Sequence, residues 1–236
     1  LAGANAEPFR VWTEAWSVSG EANATATQLA LEAREGGVEL ALTLTAEKPP
    51  VTHGEGAVDP KGPEPGNASY YYSLPRLAAR GEVSIDGRRA SVGGLAWMDR
   101  EWSTSGLSPG LSGWDWFALH LSDGRDLMFY RLRRDDGAGT PFSTGSLIGR
   151  DGRRQALTVD DVVLAPTRFW TSARSGITYP VAWRLAIPGE GIDLAVEPRL
   201  DDQELDVTVR YWEGAVIGRD DAAGITAEGY LELAGY

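Results

Sequence analysis

The sequence predicts an all-β protein of antiparallel barrels or sandwiches, and three observations predict it. Apolar and polar residues alternate with period two over several runs, as in half-buried strands. Asp-Gly pairs interrupt these runs at hairpin spacing. Helix signals are short. About ten short strands at such spacing suit barrels, which remove exposed sheet edges by closing.

Gln28 to Arg34 is rich in helix formers, but Gly36-Gly37 ends it, and an extended reading puts Leu29 and Leu31 on one face. Val38, Leu40, Leu42 and Leu44 share a face, with Glu39, Thr43 and Thr45 on the other. Val83 and Ile85 run into Asp86-Gly87; Phe117, Leu119 and Leu121 run into Asp123-Gly124; Asp136-Gly137 and Asp151-Gly152 follow. Each pair can supply the positive φ angles of a type I′ turn. Val181, Trp183, Leu185 and Ile187 form another alternating run, as do Leu205, Val207, Val209 and Tyr211.

Two stretches read as loops. Glu47 to Ser69 holds five prolines and four glycines without an apolar period, and long loops of this kind tend to be functional or disordered. Ser103 to Ser112 is rich in Gly and Ser and leads into Gly113-Trp114-Asp115-Trp116-Phe117. A boundary there divides the chain into 1–112 and 113–236. The second part is long enough for a complete barrel, whereas the first has about six strands and is expected to lack its opening ones. Leu1-Ala2-Gly3-Ala4 is no initiator, and no signal peptide follows it, so a processed or truncated piece is expected.

Composition narrows the function classes. The chain is 42% apolar and 24% charged, as folded proteins are, and no run approaches the ~18 apolar residues of a membrane helix. A net charge of −12 argues against nucleic acid or an anionic membrane as partner. With no cysteine and only His53 and His120, thiolate and multi-histidine metal sites are excluded, and no cofactor is expected. Nine Trp and eight Tyr beside five Phe give large side chains with polar handles, suited to a cavity wall or a packed core.

The densest polar and aromatic cluster is Trp97-Met98-Asp99-Arg100-Glu101-Trp102. On a strand, Trp97, Asp99 and Glu101 share one face. A carboxyl beside an indole on an inward face is desolvated and kept protonated, a candidate general acid. Pairing of Asp99 with Arg100 or another arginine at a rim is the competing reading. Tyr70 and Tyr72 share a face opposite Tyr71 and can line a ligand site or pack as a strand. His120 points away from Leu119 and Leu121; His53 sits in the Pro-rich loop with no evident partner. No nucleophile elbow, Walker loop or dinucleotide fingerprint is present. Asn23-Ala24-Thr25 and Asn67-Ala68-Ser69 match the glycosylation sequon, a weak signal.

The runs Tyr70-Tyr71-Tyr72-Ser73-Leu74-Pro75-Arg76-Leu77, Gly94-Leu95-Ala96-Trp97-Met98-Asp99-Arg100-Glu101-Trp102 and Gly113-Trp114-Asp115-Trp116-Phe117 carry a family resemblance. With Tyr130-Arg131-Leu132-Arg133, Asp201-Asp202-Gln203-Glu204-Leu205 and Tyr211-Trp212-Glu213-Gly214, the chain resembles the AttH-type lipocalin-like family, related to carotenoid 1,2-hydratases (hydroxyneurosporene synthases). The resemblance implies tandem lipocalin-like (calycin) barrels, the first incomplete at its N-terminus. Carotenoid hydratases protonate a terminal C=C bond from an Asp and capture the tertiary cation with water. Their aromatic-x-Asp motif looks like Trp97-Met98-Asp99, which makes Asp99 the carried-over acid. Their His-x-Trp pair falls by spacing near Tyr70 and Tyr72, so the assisting imidazole is replaced there.

The resemblance therefore implies a protein binding an apolar carotenoid, terpenoid or lipid-like ligand, with Tyr70, Tyr72, Trp97, Trp114, Asp115 and Trp116 as ligand-binding residues. A hydro-lyase with Asp99 as acid is the alternative. A secreted hydrolase or a pericyclase on the same fold ranks last, since no nucleophile–base pair is evident. An extracytoplasmic location and a membrane-associated or ABC-transporter partner are expected from the family alone.

Overall fold

The computed structural model describes residues 1–22, 27–207 and 209–236. The Asn23 sequon lies outside them. The described residues contain no α-helix, only one 3₁₀ turn at Pro188–Glu190. The strands are β1 (Ala2–Asn5), β2 (Phe9–Thr13), β3 (Trp16–Ala22), β4 (Thr27–Glu35), β5 (Val38–Ala46), β6 (Val51–Thr52), β7 (Val58–Pro60), β8 (Ala68–Ile85) and β9 (Arg88–Trp102). They continue with β10 (Leu111–Leu121), β11 (Asp126–Arg134), β12 (Thr144–Ile148), β13 (Arg154–Thr158), β14 (Val163–Thr171), β15 (Thr178–Ile187), β16 (Ile192–Pro198), β17 (Glu204–Asp206), β18 (Arg210–Asp220) and β19 (Ile225–Ala234). All registered pairings are antiparallel, as the period-two reading requires. Gln28 to Arg34 is extended within β4.

By contact the chain forms two compact units, one of residues 1–50 and 74–99 and the other of 51–73 and 100–236. Segment 51–73, which the sequence reading gave to the first part, thus packs with the second unit. In the first unit, β1 to β5 follow one another and β5 pairs with β8 from Ala46↔Leu77 to Val38↔Ile85, making a half-barrel sheet. Leu29, Leu44, Leu74, Leu77 and Ala79 form its core, with Val18, Leu31, Leu42, Ala46, Ala96 and Met98 packed on it.

The second unit carries a ten-stranded sheet in the order β13-β12-β11-β10-β19-β18-β16-β15-β14, with β17 beside β18. Its inner face is filled by its own side chains. Phe117, Leu119 and Leu121 meet Leu127, Phe129, Val181, Trp183, Leu185 and Ile187, and Phe117 stands edge-on to Trp183 at 5.7 Å. Burying each such side chain contributes about 1.5–3 kcal/mol. Ala118, Met128 and Tyr130 alternate with the core positions and are also buried, on the opposite face. Segment 51–73 lies on that face through contacts to Trp116, Tyr130, Thr144 and Ser146.

Two local expectations need correction. Only Asp86-Gly87 has positive φ at both residues, 49° and 80°, as a type I′ turn requires. At the other three pairs only the glycine is left-handed. There the Asp carboxylate accepts the backbone N–H two residues on, at Arg125, Ala138 and Arg153, which stabilises a different turn. The run Leu205 to Tyr211 is not a half-buried strand. β17 ends at Asp206, Leu205, Val207 and Val209 are exposed, and the buried residue is Glu204. Glu204 is held inward because Ser172, Ser175 and Tyr179 donate to its carboxylate.

Candidate functional site

Asp99 lies near the end of the first unit's share of β9. Ala96 and Met98 pack on that unit's core, so alternation puts Trp97 and Asp99 on the other face. Both are half-buried, and Trp97 Nε1 donates to Asp99 Oδ1 at 2.6 Å. The indole fixes the direction of the carboxyl. In the same unit, Ala79, Gly81, Val92, Gly94 and Leu95 line an open groove of about 570 Å³ that also touches Glu47. That volume falls within the roughly 300–1,000 Å³ of small-molecule sites. Gly81 sits there because its backbone passes against β5, where a Cβ would lie 2.0 Å from the Ala41 carbonyl oxygen.

The tyrosine run splits as alternation predicts. Tyr70, 54% exposed, stacks on Trp102 at 5.6 Å, and Tyr72 meets Trp102 edge-on at 6.4 Å. Tyr71 points the other way, is buried, and accepts a hydrogen bond from Trp116 Nε1 at 3.0 Å. Trp114 donates to Glu232 at 2.6 Å, beside Tyr211. Asp115 points inward, fully buried, and accepts from Arg131, Arg133 and Tyr236. Trp114, Asp115 and Trp116 thus face alternate sides of β10, each with a protein partner.

The sequence reading missed a buried polar layer beneath segment 51–73. His53 Nδ1 lies 2.9 Å from Ser146 Oγ and Nε2 lies 2.7 Å from Ser73 Oγ, all three residues being buried. Arg154 Nε donates to the Ser146 oxygen at 2.8 Å. The imidazole thus spans two serine hydroxyls, one of which also serves the Arg154 guanidinium. Burial lowers the His53 pKa to about 4; Arg154 and Lys61 act the same way and Asp59 opposes them. The ring is neutral near pH 7.

Beside it, fully buried Asp59 accepts from Lys61 at 2.8 Å and from Tyr130 at 2.7 Å. Lys61 Nζ also sits 3.8 Å above the Tyr130 ring and 3.0 Å from Glu101. Burial opposes its charge, but Tyr130, Asp59 and Glu101 outweigh that and hold its pKa above the ordinary lysine range. Burial raises the Tyr130 phenol as well. These groups can hold and pass protons, but they are closed in by segment 51–73. No local sequence signal links His53 to Ser146, 93 residues away.

Asn67 is buried, with Nδ2 donating to Glu64 and Ser108, so its sequon is not presented for glycosylation. No cluster of three or more His, Asp or Glu suited to a metal ion occurs among the described residues.

The comparisons with known proteins agree with this architecture. A crystal structure described as AttH from Nitrosomonas europaea is 36% identical, with a TM-score of 0.86 over 96% of this chain and 70% of that one. Dehydratase asqC of Emericella nidulans is 25% identical over 194 residues, 78% of this chain and 53% of that protein. Kievitone hydratase of Fusarium solani subsp. phaseoli is 28% identical over 145 residues, 58% of this chain and 39% of that protein. The chain thus spans about half or less of these curated relatives. The profile of the AttH-like family matches residues 1–236 from end to end, and with the lipocalin-like all-β fold this places the chain in the AttH-like family.

Proposed function

We propose that this chain belongs to a hydro-lyase that adds water to, or removes it from, a carbon–carbon bond of an apolar substrate, with Asp99 transferring the proton. The observation that carries the reading is the Trp97–Asp99 hydrogen bond of 2.6 Å, which holds a half-buried carboxyl in one direction. The relatives named dehydratase and hydratase support the reaction class. In hydration, the carboxyl gives its proton to the alkene, water captures the tertiary cation, and the resulting oxonium returns a proton to the carboxylate. In the reverse direction the carboxyl protonates the leaving hydroxyl, water departs as the C–O bond breaks, and the carboxylate takes the proton from the neighbouring carbon. The π face of Trp97 stabilises the cationic centre by about 0.5–2 kcal/mol.

In this reading the groove of the first unit, whose lining joins Ala79, Gly81, Val92 and Gly94 to Glu47, Arg80 and Ser91, takes the substrate. A second reading, binding of an apolar carotenoid, terpenoid or lipid-like ligand without turnover, draws on the same groove. The experiment is to incubate the full-length protein with kievitone and with an acyclic carotene and to follow gain or loss of water by mass spectrometry. Turnover supports the hydro-lyase. Saturable binding with no turnover of either compound favours the second reading.

A further inference from the structure

Segment 51–67 pairs with β8 and covers one face of the β10–β13 sheet, to which polar side-chain contacts fasten it. His53 is clamped between Ser73 of β8 and Ser146 of β12. The Gly54 carbonyl accepts from Arg154 of β13 at 3.3 Å, and Asp59 accepts from Tyr130 of β11 and, at 3.3 Å, from Thr144 of β12. A seam of this kind depends on each group keeping its protonation state, because a buried charge without a partner is expensive.

We propose that segment 51–67 is a latch on the second unit, closed while the His53 imidazole is neutral and released when that ring takes a second proton. The geometry makes the closed state selective for the neutral ring. Nδ1 faces the Ser146 oxygen, which accepts from the Arg154 guanidinium, so a second ring proton would place a cation one oxygen atom away from that guanidinium. The titratable and charged groups around the ring are Asp59 and Lys61 from the segment itself, Arg154 from β13 and Tyr71 of β8, whose ring lies 4.3 Å from the imidazole; the serine hydroxyls are Ser73 from β8 and Ser146 from β12. Two of the three charges are cationic and repel an imidazolium, and the carboxylate of Asp59 is already engaged by Lys61 and Tyr130. Release exposes Asp59, Lys61 and Tyr130 to solvent and gives acid conditions control over a proton-handling cluster. This device is independent of the hydro-lyase reading.

The latch is read by amide hydrogen exchange at two backbone bonds that tie the segment to β8. His53 N–H donates to the Tyr71 carbonyl at 2.9 Å and Tyr71 N–H to the Ala57 carbonyl at 3.2 Å. The ring titrates near 6.5 when released and near 4 when closed. Lowering the pH from about 7.5 to about 5 should therefore raise the opening equilibrium about 30-fold. After correction for intrinsic exchange, the full-length wild type should lose about 30-fold protection at both amides, whereas His53→Asn, which cannot gain the charge, should show no such loss. Equal loss in the two proteins, or none in the wild type, would overturn the proposal. If His53→Asn does not fold, Arg154→Gln serves instead. Without the guanidinium beside it the ring binds a proton more readily, so protection should fail at a higher pH than in wild type. An unchanged onset would overturn the latch.

Discussion

His53 Nε2 lies 2.7 Å from Ser73 Oγ, with both residues buried in the second unit. Burial keeps the ring neutral near pH 7. Because the folded pKa of about 4 lies below the ordinary histidine value of 6.5, the native state binds fewer protons than the unfolded chain in that interval. Stability is fully present above pH 6.5 and is lost as the pH falls through 4, by up to about 3 kcal/mol. Urea unfolding at about pH 7 and pH 4.5 should show this loss in the wild type and a smaller one in His53→Asn. Equal losses would show that the ring is not responsible.

Asp115 sets a different dependence. Its carboxylate compensates Arg131 and Arg133 at 2.7 and 2.9 Å in the buried end of the second sheet. Asp115→Asn leaves two guanidinium groups without their counter-ion and should cost about 3–5 kcal/mol. Chemical denaturation checks this, and a loss under about 1 kcal/mol would contradict the assigned role.

Two core tryptophans allow a paired comparison. Trp183 and Trp212 are both fully buried, but Trp212 Nε1 donates to the Asp201 carbonyl at 2.7 Å while Trp183 Nε1 has no hydrogen-bond partner among the described residues. Replacement by Phe removes a satisfied donor in one case and an unsatisfied one in the other. Trp212→Phe should therefore be more destabilising than Trp183→Phe by about 1–3 kcal/mol, measured by equilibrium unfolding.

The groove of the first unit is tested at Gly94. A Cβ there meets nothing within 4 Å, so Gly94→Leu should fold with stability within about 0.5 kcal/mol of wild type. The added side chain occupies space assigned to substrate, and kcat/KM should fall at least about tenfold. Unchanged kinetics would remove the groove from the site.

What could be read from the sequence follows from where its signals live. The period-two runs at Val181 to Ile187 and Phe117 to Leu121 are core strands because their apolar faces are local patterns, and Tyr71 opposing Tyr70 and Tyr72 follows from the same alternation. The 47–69 stretch read as a loop because its buried residues, His53 and Asp59 among them, are polar and leave no hydrophobic period. Their partners lie far along the chain, at Ser146, Thr144 and Tyr130, and no spacing rule announces them. Leu205 to Tyr211 misled for the opposite reason: the alternation is present, but Ser172, Ser175 and Tyr179 draw Glu204 inward and leave the apolar side chains outside. Asp99 was legible as a candidate, and its hydrogen bond to Trp97 two residues away is short-range enough for the motif to suggest.

The most direct measurement compares full-length wild type with Asp99→Asn in water enriched in oxygen-18, with kievitone and an acyclic carotene as substrates. The account predicts that wild type incorporates the label into a hydrated product, or exchanges it into a hydrated substrate. Asp99→Asn should bind the same compound within about threefold, a change of about 0.65 kcal/mol, and form no labelled product above the uncatalysed background. Label incorporation by Asp99→Asn at the wild-type rate would contradict the proton-transfer role on which the account rests.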